Sequence, residues 1–275
     1  MVRGGVWTLD RLQEMTRMVS EDLNGDGIMD DQDRFGLLYQ RDSMTSFLTG
    51  AGAFVAQKDA DDIPVITLTD PHALDVLEYL FDFLYDEQHS FHVMRFFDAR
   101  GVDFTAGMTN MFRNNQALFM WIRMADVQNL RAMDTDFGIL PIPKWSEAQE
   151  NHLHNVNPHV GTITVVPRSA GDIAASGAVL DTLAGMSRHL LIPAYYDIQL
   201  TTQIARDEES SDMLDIIFAN RRYDVGDIFD FGGLGNEVIF MTMTLARDIT
   251  SRIERMLPRA ETAIERMVDA FFALD

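Results

Sequence analysis

The chain has 275 residues, 47% of them hydrophobic, with 22 basic against 43 acidic side chains and a formal charge of −21. A field of that sign repels phosphate backbones and anionic lipid, which argues against nucleic acid and membrane surfaces as partners. The lack of cysteine removes disulfides, thiolate metal sites and a cysteine nucleophile, and no run of apolar residues is long enough to span a bilayer.

In chain order, Thr8 is placed to cap a first helix whose Leu9, Leu12, Met15 and Val19 recur at helical spacing. Residues 22–33 then write out most of an EF-hand-type calcium loop. Oxygen side chains stand at Asp22, Asn24, Asp26, Asp30 and Asp33, Gly27 sits where the loop must turn, and the backbone carbonyl of Ile28 supplies a further ligand. Ca²⁺, as a hard cation, takes such an all-oxygen set, so we expect structural Ca²⁺ here, with the shorter Asp33 in place of a bidentate Glu. A solvated acidic turn is the plainer alternative, since NG and DG are also turn dipeptides.

A short apolar run over 35–39 reads as a buried strand, followed by a small-residue turn over 49–53 and a second strand over 65–68. Asp70 and Pro71 announce a helix with Leu74, Leu77, Phe81 and Leu84 on one face. Further strands are expected over 116–121, 137–140 and 161–166. A long helix over 172–191 should bury Val179, Leu183, Met186 and Leu190, and helices are expected over 194–206 and 208–220. A glycine-rich break over 226–235 precedes two last helices, over 237–256 and 261–274, divided at Pro258. Helices alternating with short strands give an α/β class.

Several of these segments, in this order, resemble the extracellular solute-binding proteins of ABC importers, family 1, of the maltose- and oligosaccharide-binding type. Trp7-Thr8-Leu9-Asp10 is similar to that family's first helix start after a crossing between lobes. Phe112-Arg113-Asn114-Asn115-Gln116-Ala117-Leu118-Phe119 resembles its F-x-x-G-x-A-A-M element, with Asn115 in place of glycine and Phe119 in place of methionine. Phe137-Gly138-Ile139-Leu140-Pro141-Ile142-Pro143-Lys144 resembles its Y-G-V-x-P-L-P crossing, and the segment 161–167 its return strand.

The resemblance implies a periplasmic-binding-protein-like II fold of two lobes, the first incomplete. Residues 1–150 would form most of the second lobe, 151–225 a returning segment of the first, and 226–275 the hinge and closing helices of the second. It further implies an extracellular, lipid-anchored protein whose signal peptide and anchoring cysteine lie outside this sequence. The partners so implied are a small sugar and the membrane permease subunits of an ABC importer.

Sugar sites pair aromatic faces with planar hydrogen-bonding side chains. Three clusters fall where the family's cleft residues would lie: Tyr39, Gln40, Arg41 and Asp42 at the end of a strand; Trp121, Arg123 and Asp126 after another; and Asp227, Phe229 and Asp230 in the glycine-framed hinge, with Trp145 a further candidate. Tyr39 and Trp121 could equally pack in a core, and Arg41 could pair with Asp42 on the surface. His152 and His154, with His159, could ligate a transition metal or simply lie on the surface. No Walker loop, G-x-S-x-G or H-E-x-x-H occurs, so the expected function is non-enzymatic: carbohydrate binding for ABC-type uptake. A calcium-stabilised accessory module of a glycan-degrading enzyme, or a scaffold without ligand, are the alternatives.

Overall fold

The structure, a computed structural model, describes residues 1–158, 160, 164–195 and 208–273. Its centre is a parallel three-stranded sheet in the order β4–β1–β5, formed by β1 (Phe35–Tyr39), β4 (Ser90–His92) and β5 (Ala117–Met120). Leu38 lies opposite both Phe91 and Met120, so the carboxyl ends of all three strands open on one edge. Every residue of β1 is buried, as expected of a strand covered on both faces. The N–H groups of Gly36 and Leu37 both donate to the His89 carbonyl, at 2.9 and 3.1 Å. Phe35 and Leu38 join one apolar cluster, while Leu37 and Tyr39 join another.

The larger cluster gathers α1 (Leu9–Val19), α2 (Ser43–Gly50) and α3 (Pro71–Leu84) with α9 (Leu234–Thr244) and α10 (Ile249–Phe272), so the last 40 residues described close over the first 90. Thr8 Oγ1 accepts from the Arg11 N–H, and Pro71 opens α3, as the capping signals predict. α1 lies directly on β1: a Cβ on Gly36 would sit 2.2 Å from Thr16 Cβ, so the contact requires glycine. The smaller cluster packs α4 (Val93–Asp98) and α5 (Phe104–Arg113) on the opposite face. An antiparallel hairpin of β2 (Ala56–Lys58) and β3 (Pro64–Ile66) lies beside α8 (Val225–Phe229). There a Cβ on Gly226 would come within 2.6 Å of the Ala56 nitrogen.

The described part of the segment over 151–222 contains α6 (Ile173–Met186), α7 (Glu208–Ala219) and a parallel pair, β6 (His154–Asn155) with β7 (Arg221–Arg222). A third, small cluster joins Leu214 and Ile217 of α7 to Val127 and the partly buried Phe137 and Ile139.

Four expectations fail. Residues 137–140 form no strand; their backbone is held by a side chain instead, the Ile139 N–H donating to Ser210 Oγ at 3.1 Å. Of 161–166, the first three lie outside the described residues, and Thr164, Val165 and Val166 are not in a strand. α6 buries none of its residues; Val179, Leu183, Met186 and Leu190 are all more than half exposed. The last helices divide at Leu245, which takes a left-handed conformation, and α10 runs straight through Pro258. Pro258 and Glu254 are both exposed, so water can satisfy the Glu254 carbonyl that the proline deprives of a donor. Most of the helix expected over 194–206 lies outside the described residues.

Candidate functional site

Ligands of parallel α/β sheets gather beyond the carboxyl ends of the strands. Here β1 runs into Gln40, Arg41 and Asp42, and β5 runs into Trp121, Ile122 and Arg123. The two strands are neighbours, and the Trp121 N–H donates to the Leu38 carbonyl at 2.9 Å, so the first two clusters lie side by side.

A cavity of about 560 Å³ opens next to them. Its wall includes Trp121, Arg123, Asp126, Phe137, Phe218 and Arg221, together with His154, Asn155 and Asn157 of the segment around β6. Arg123 Nε lies 2.6 Å from Asp126 Oδ2, a half-exposed pair on the cavity wall. Trp121 is 9% exposed and belongs to the main core as well as to the wall. Its ring is therefore mostly covered by protein.

The Asn155–Asn157 segment joins this cavity to the start of α2. Ser46 Oγ donates to Asn155 Oδ1 at 2.7 Å, and Asn157 Nδ2 donates to Asp42 Oδ2 at 3.2 Å. Arg41 Nε sits 3.3 Å from Asp42 Oδ1, and its guanidinium lies 5.5 Å from the centroid of the half-exposed Phe240 ring. Gln40 is buried. Tyr39 is a correction: it is 1% exposed, its hydroxyl donates to the Leu84 carbonyl at 2.6 Å, and burial raises its pKa. A hydroxyl already satisfied within the core has no face to offer a solute.

In the hinge, Asp224 accepts from the N–H groups of Val55, Ala56, Gly226 and Asp227, which makes it the cap of α8 and its tie to β2. Asp227 is buried nearby, and burial first, then Asp224, Asp42 and Asp230, pushes its carboxyl up to about 7. Asp230, in a left-handed conformation, accepts from the backbone and side chain of Asn236. Its role is therefore to fix the start of α9. Phe229 stacks on Phe231 at 5.7 Å and is half exposed. Trp145 packs edge-on against Tyr79 and His72, away from these groups.

Sequence reasoning missed Asn155, Asn157 and Phe240 as site residues, and weighed His154 only as a metal ligand or a surface residue. The Nε2 atoms of His152 and His154 are buried without a hydrogen-bond partner. His154 is held neutral, its pKa lowered to about 4 by burial and then by His152. The alternating H-x-H was the available signal, and it reads equally as surface or metal until β6 is seen to bury it.

In the loop over 22–33 the side chains of Asp22, Asn24, Asp26, Asp30 and Asp33 all turn back onto the backbone. Asp22 accepts from Gly25 and Gly27, Asn24 from Asp26, Asp26 from Ile28, and Asp30 from Gln32. The Gly27 and Gly25 bonds hold the Asp22 carboxyl below its ordinary range. Asp33 is buried and accepts from Leu23 and Asp30, closing the loop at its base. Among the described residues, no group of three or more His, Asp or Glu side chains is arranged to hold an ion. The donors are of the right kind for Ca²⁺.

No protein-family model matches the chain, and no curated protein matches it. Solved structures do. The maltose/maltodextrin-binding domain MalE from Bdellovibrio bacteriovorus, bound to maltotriose, superposes with a TM-score of 0.58 at 17% identity. The match covers 96% of this chain and 67% of that one. UspC of M. tuberculosis gives 0.55 at 16% identity, over 92% of this chain and 64% of that one. The fold is that of the periplasmic binding proteins. The chain thus spans about two thirds of the length of these binding proteins, and the fold class matches the expectation from sequence. No helix among the described residues is long and apolar enough to cross a membrane.

Proposed function

We propose that this chain is the solute-binding part of an extracellular carbohydrate receptor that serves an ABC-type importer, and that it carries out no chemistry of its own. The observation that supports this is the convergence of Arg41, Asp42, Trp121, Arg123 and Asn157 at the carboxyl ends of β1 and β5, in a fold whose solved example holds maltotriose. Planar polar groups around an aromatic-lined cavity suit the hydroxyls and C–H faces of a sugar. Binding would favour one lobe arrangement over another, which a membrane permease could then read. Lipid anchoring of the receptor belongs to the same proposal. The test is calorimetric titration of the purified chain with maltose and maltotriose. Saturable binding supports the reading; absence of binding together with detectable glycoside hydrolysis would shift it to an accessory module of a glycan-degrading enzyme.

Calcium binding by residues 22–33 is a separate proposal, carried by the oxygen donors of Asp22, Asn24, Asp26, Ile28, Asp30 and Asp33. Each carboxylate oxygen that accepts one N–H keeps a second lone pair for a cation. Melting the chain in Ca²⁺ and in chelator tests it: a rise of several degrees in Ca²⁺, lost in Asp22→Asn, supports the ion, and identical curves reject it.

A further inference from the structure

We infer that the cavity beside β5 takes an acidic saccharide, whose carboxylate is received by Arg221 together with Arg123. This rests on the sugar-binding reading above and narrows its ligand class.

The chain carries 43 acidic against 22 basic side chains, yet its cavity has the opposite sign. Three side chains on the cavity wall are charged: Arg123, Asp126 and Arg221. Asp126 is paired, its Oδ2 lying 2.6 Å from Arg123 Nε. Arg221 has no carboxylate partner among the described residues. His154, also on the wall, is neutral at physiological pH, since burial lowers its pKa to about 4. One positive charge therefore stands uncompensated on a wall made mostly of apolar and aromatic side chains.

Both guanidinium groups are oriented through Nε. Asp126 holds that of Arg123, and Arg221 Nε donates to the Phe218 carbonyl at 3.0 Å, with its guanidinium carbon 5.4 Å from the centroid of the Phe218 ring. Among the described residues, the terminal nitrogens Nη1 and Nη2 of either arginine have no partner. The two supports are packed together. Val127, in the turn over 124–130 that follows Arg123, shares an apolar cluster with Ile217 and Phe218 at the end of α7. Arg123 and Arg221 are thus set on adjoining supports around one cavity.

A fork of two N–H groups matches the two oxygens of a carboxylate, and charge-assisted pairs of this kind are the stronger hydrogen bonds. The hydroxyls of a neutral sugar would leave the Arg221 charge uncompensated. A single uncompensated charge suits a singly charged carboxylate better than a phosphate dianion. Trp121, Phe137 and Phe218 offer apolar surface to the C–H faces of the rings, and a cavity of about 560 Å³ falls within the ordinary range for small ligands.

The experiment is calorimetry of the full chain at about pH 7 with matched acid and neutral disaccharides. The pairs are cellobiouronic acid with cellobiose, and digalacturonic acid with galactobiose of the same linkage; maltotriose and octanoate complete the set. We expect an acid to bind about tenfold or more tighter than its neutral parent at low salt, and the ratio to shrink at about 0.5 M salt. Arg221→Gln should bring the ratio close to one. Arg221→Lys keeps the charge and loses the fork, so it should fall between the two, and Arg123→Lys should lower the ratio as well. Arg221 is exposed, so its replacement should leave the chain folded, which circular dichroism melts check. A neutral sugar bound as tightly as its acid, maltotriose bound without either acid, or a preference that survives Arg221→Gln overturns the inference while leaving sugar binding intact. Octanoate bound as tightly as the acid sugars also overturns it, since the cavity would then read a carboxylate on any apolar body. No binding of any sugar overturns the sugar-binding reading, and this inference with it.

Discussion

Asn157 donates to Asp42 across 3.2 Å, joining residues 115 positions apart in sequence. The contact fastens the segment after β6 to the start of α2, where β1 delivers its last polar residues. Asp42 Oδ1 already has no hydrogen bond, so removing Asn157 would leave the carboxylate with Arg41 alone. We expect Asn157→Ala to destabilise the chain by about 1 kcal/mol, as for the loss of one partly buried hydrogen bond, and to weaken sugar binding at the same time. Chemical denaturation and calorimetry on the same preparation check this. A stability loss with unchanged affinity would confine Asn157 to a structural role.

Stability should peak near neutral pH because buried groups oppose one another. His92 and His154 stay neutral in the fold down to about 4, mainly through burial, against an ordinary 6.5. As pH falls from 6.5 the unfolded chain takes up protons first, so stability is lost between 6.5 and 4. Asp227 keeps its proton up to about 7 against an ordinary 3.8, so the unfolded chain releases it first and stability falls as pH rises across that window. Each such group contributes a slope of about 1.4 kcal/mol per pH unit, so two histidines outweigh one aspartate below 6.5. Above 6.5 the Asp227 slope remains until about 7. Melting temperatures should rise from about pH 4 to about 6.5 and then decline, and Asp227→Asn should flatten the decline. A wild-type curve still rising at about pH 8 would mean that Asp227 ionises like an exposed carboxylate.

Trp121 serves both core and cavity wall, so its truncation conflates two effects. Trp121→Ala should destabilise by about 3–5 kcal/mol. Trp121→Phe keeps most of the packing, and is expected to fold while losing several-fold in affinity for maltotriose. Fluorescence titration gives a second reading, since the wild-type signal should respond to the sugar and the variant much less. An unchanged affinity would assign Trp121 to the core alone.

The stripe of Val179, Leu183 and Met186 on α6, continued by Leu190 in the turn that follows it, is exposed along its length. Exposed apolar faces of this kind drive association. Size-exclusion elution of the wild type should therefore shift with concentration, and a Leu183→Lys, Leu190→Lys double variant should elute as a monomer. Concentration-independent elution of the wild type would count against an active apolar surface there.

Much of the fold was legible because its signals are local. The caps at Thr8 and Asp70–Pro71 and the apolar spacing of α1 and α3 each specify a helix from a few neighbouring residues. The misreadings came where neighbours far along the chain decide. Residues 137–140 carry a strand-like apolar run, yet Ser210 satisfies the Ile139 N–H and no ladder forms. Pro258 breaks helices in general, yet its position on an exposed face lets α10 continue. Within the site, the strand ends at Gln40 and Trp121 were readable, whereas the roles of Asn155, Asn157 and Phe240 were not. Their contacts lie with α2 and Arg41, and no spacing rule connects them.

By itself the sequence determined the α/β class, the strand-end location of the polar clusters, the acidic charge and the oxygen-rich loop over 22–33, since each follows from composition or short-range pattern. The tertiary structure decided which of these groups are free to act. It buried Tyr39 with its hydroxyl satisfied, gave Asp224 and Asp230 structural partners, and buried Asp227 beside Asp224. Burial and the charge of distant neighbours set the protonation and hydrogen-bonding capacity of a side chain, and neither is encoded within its own stretch of sequence.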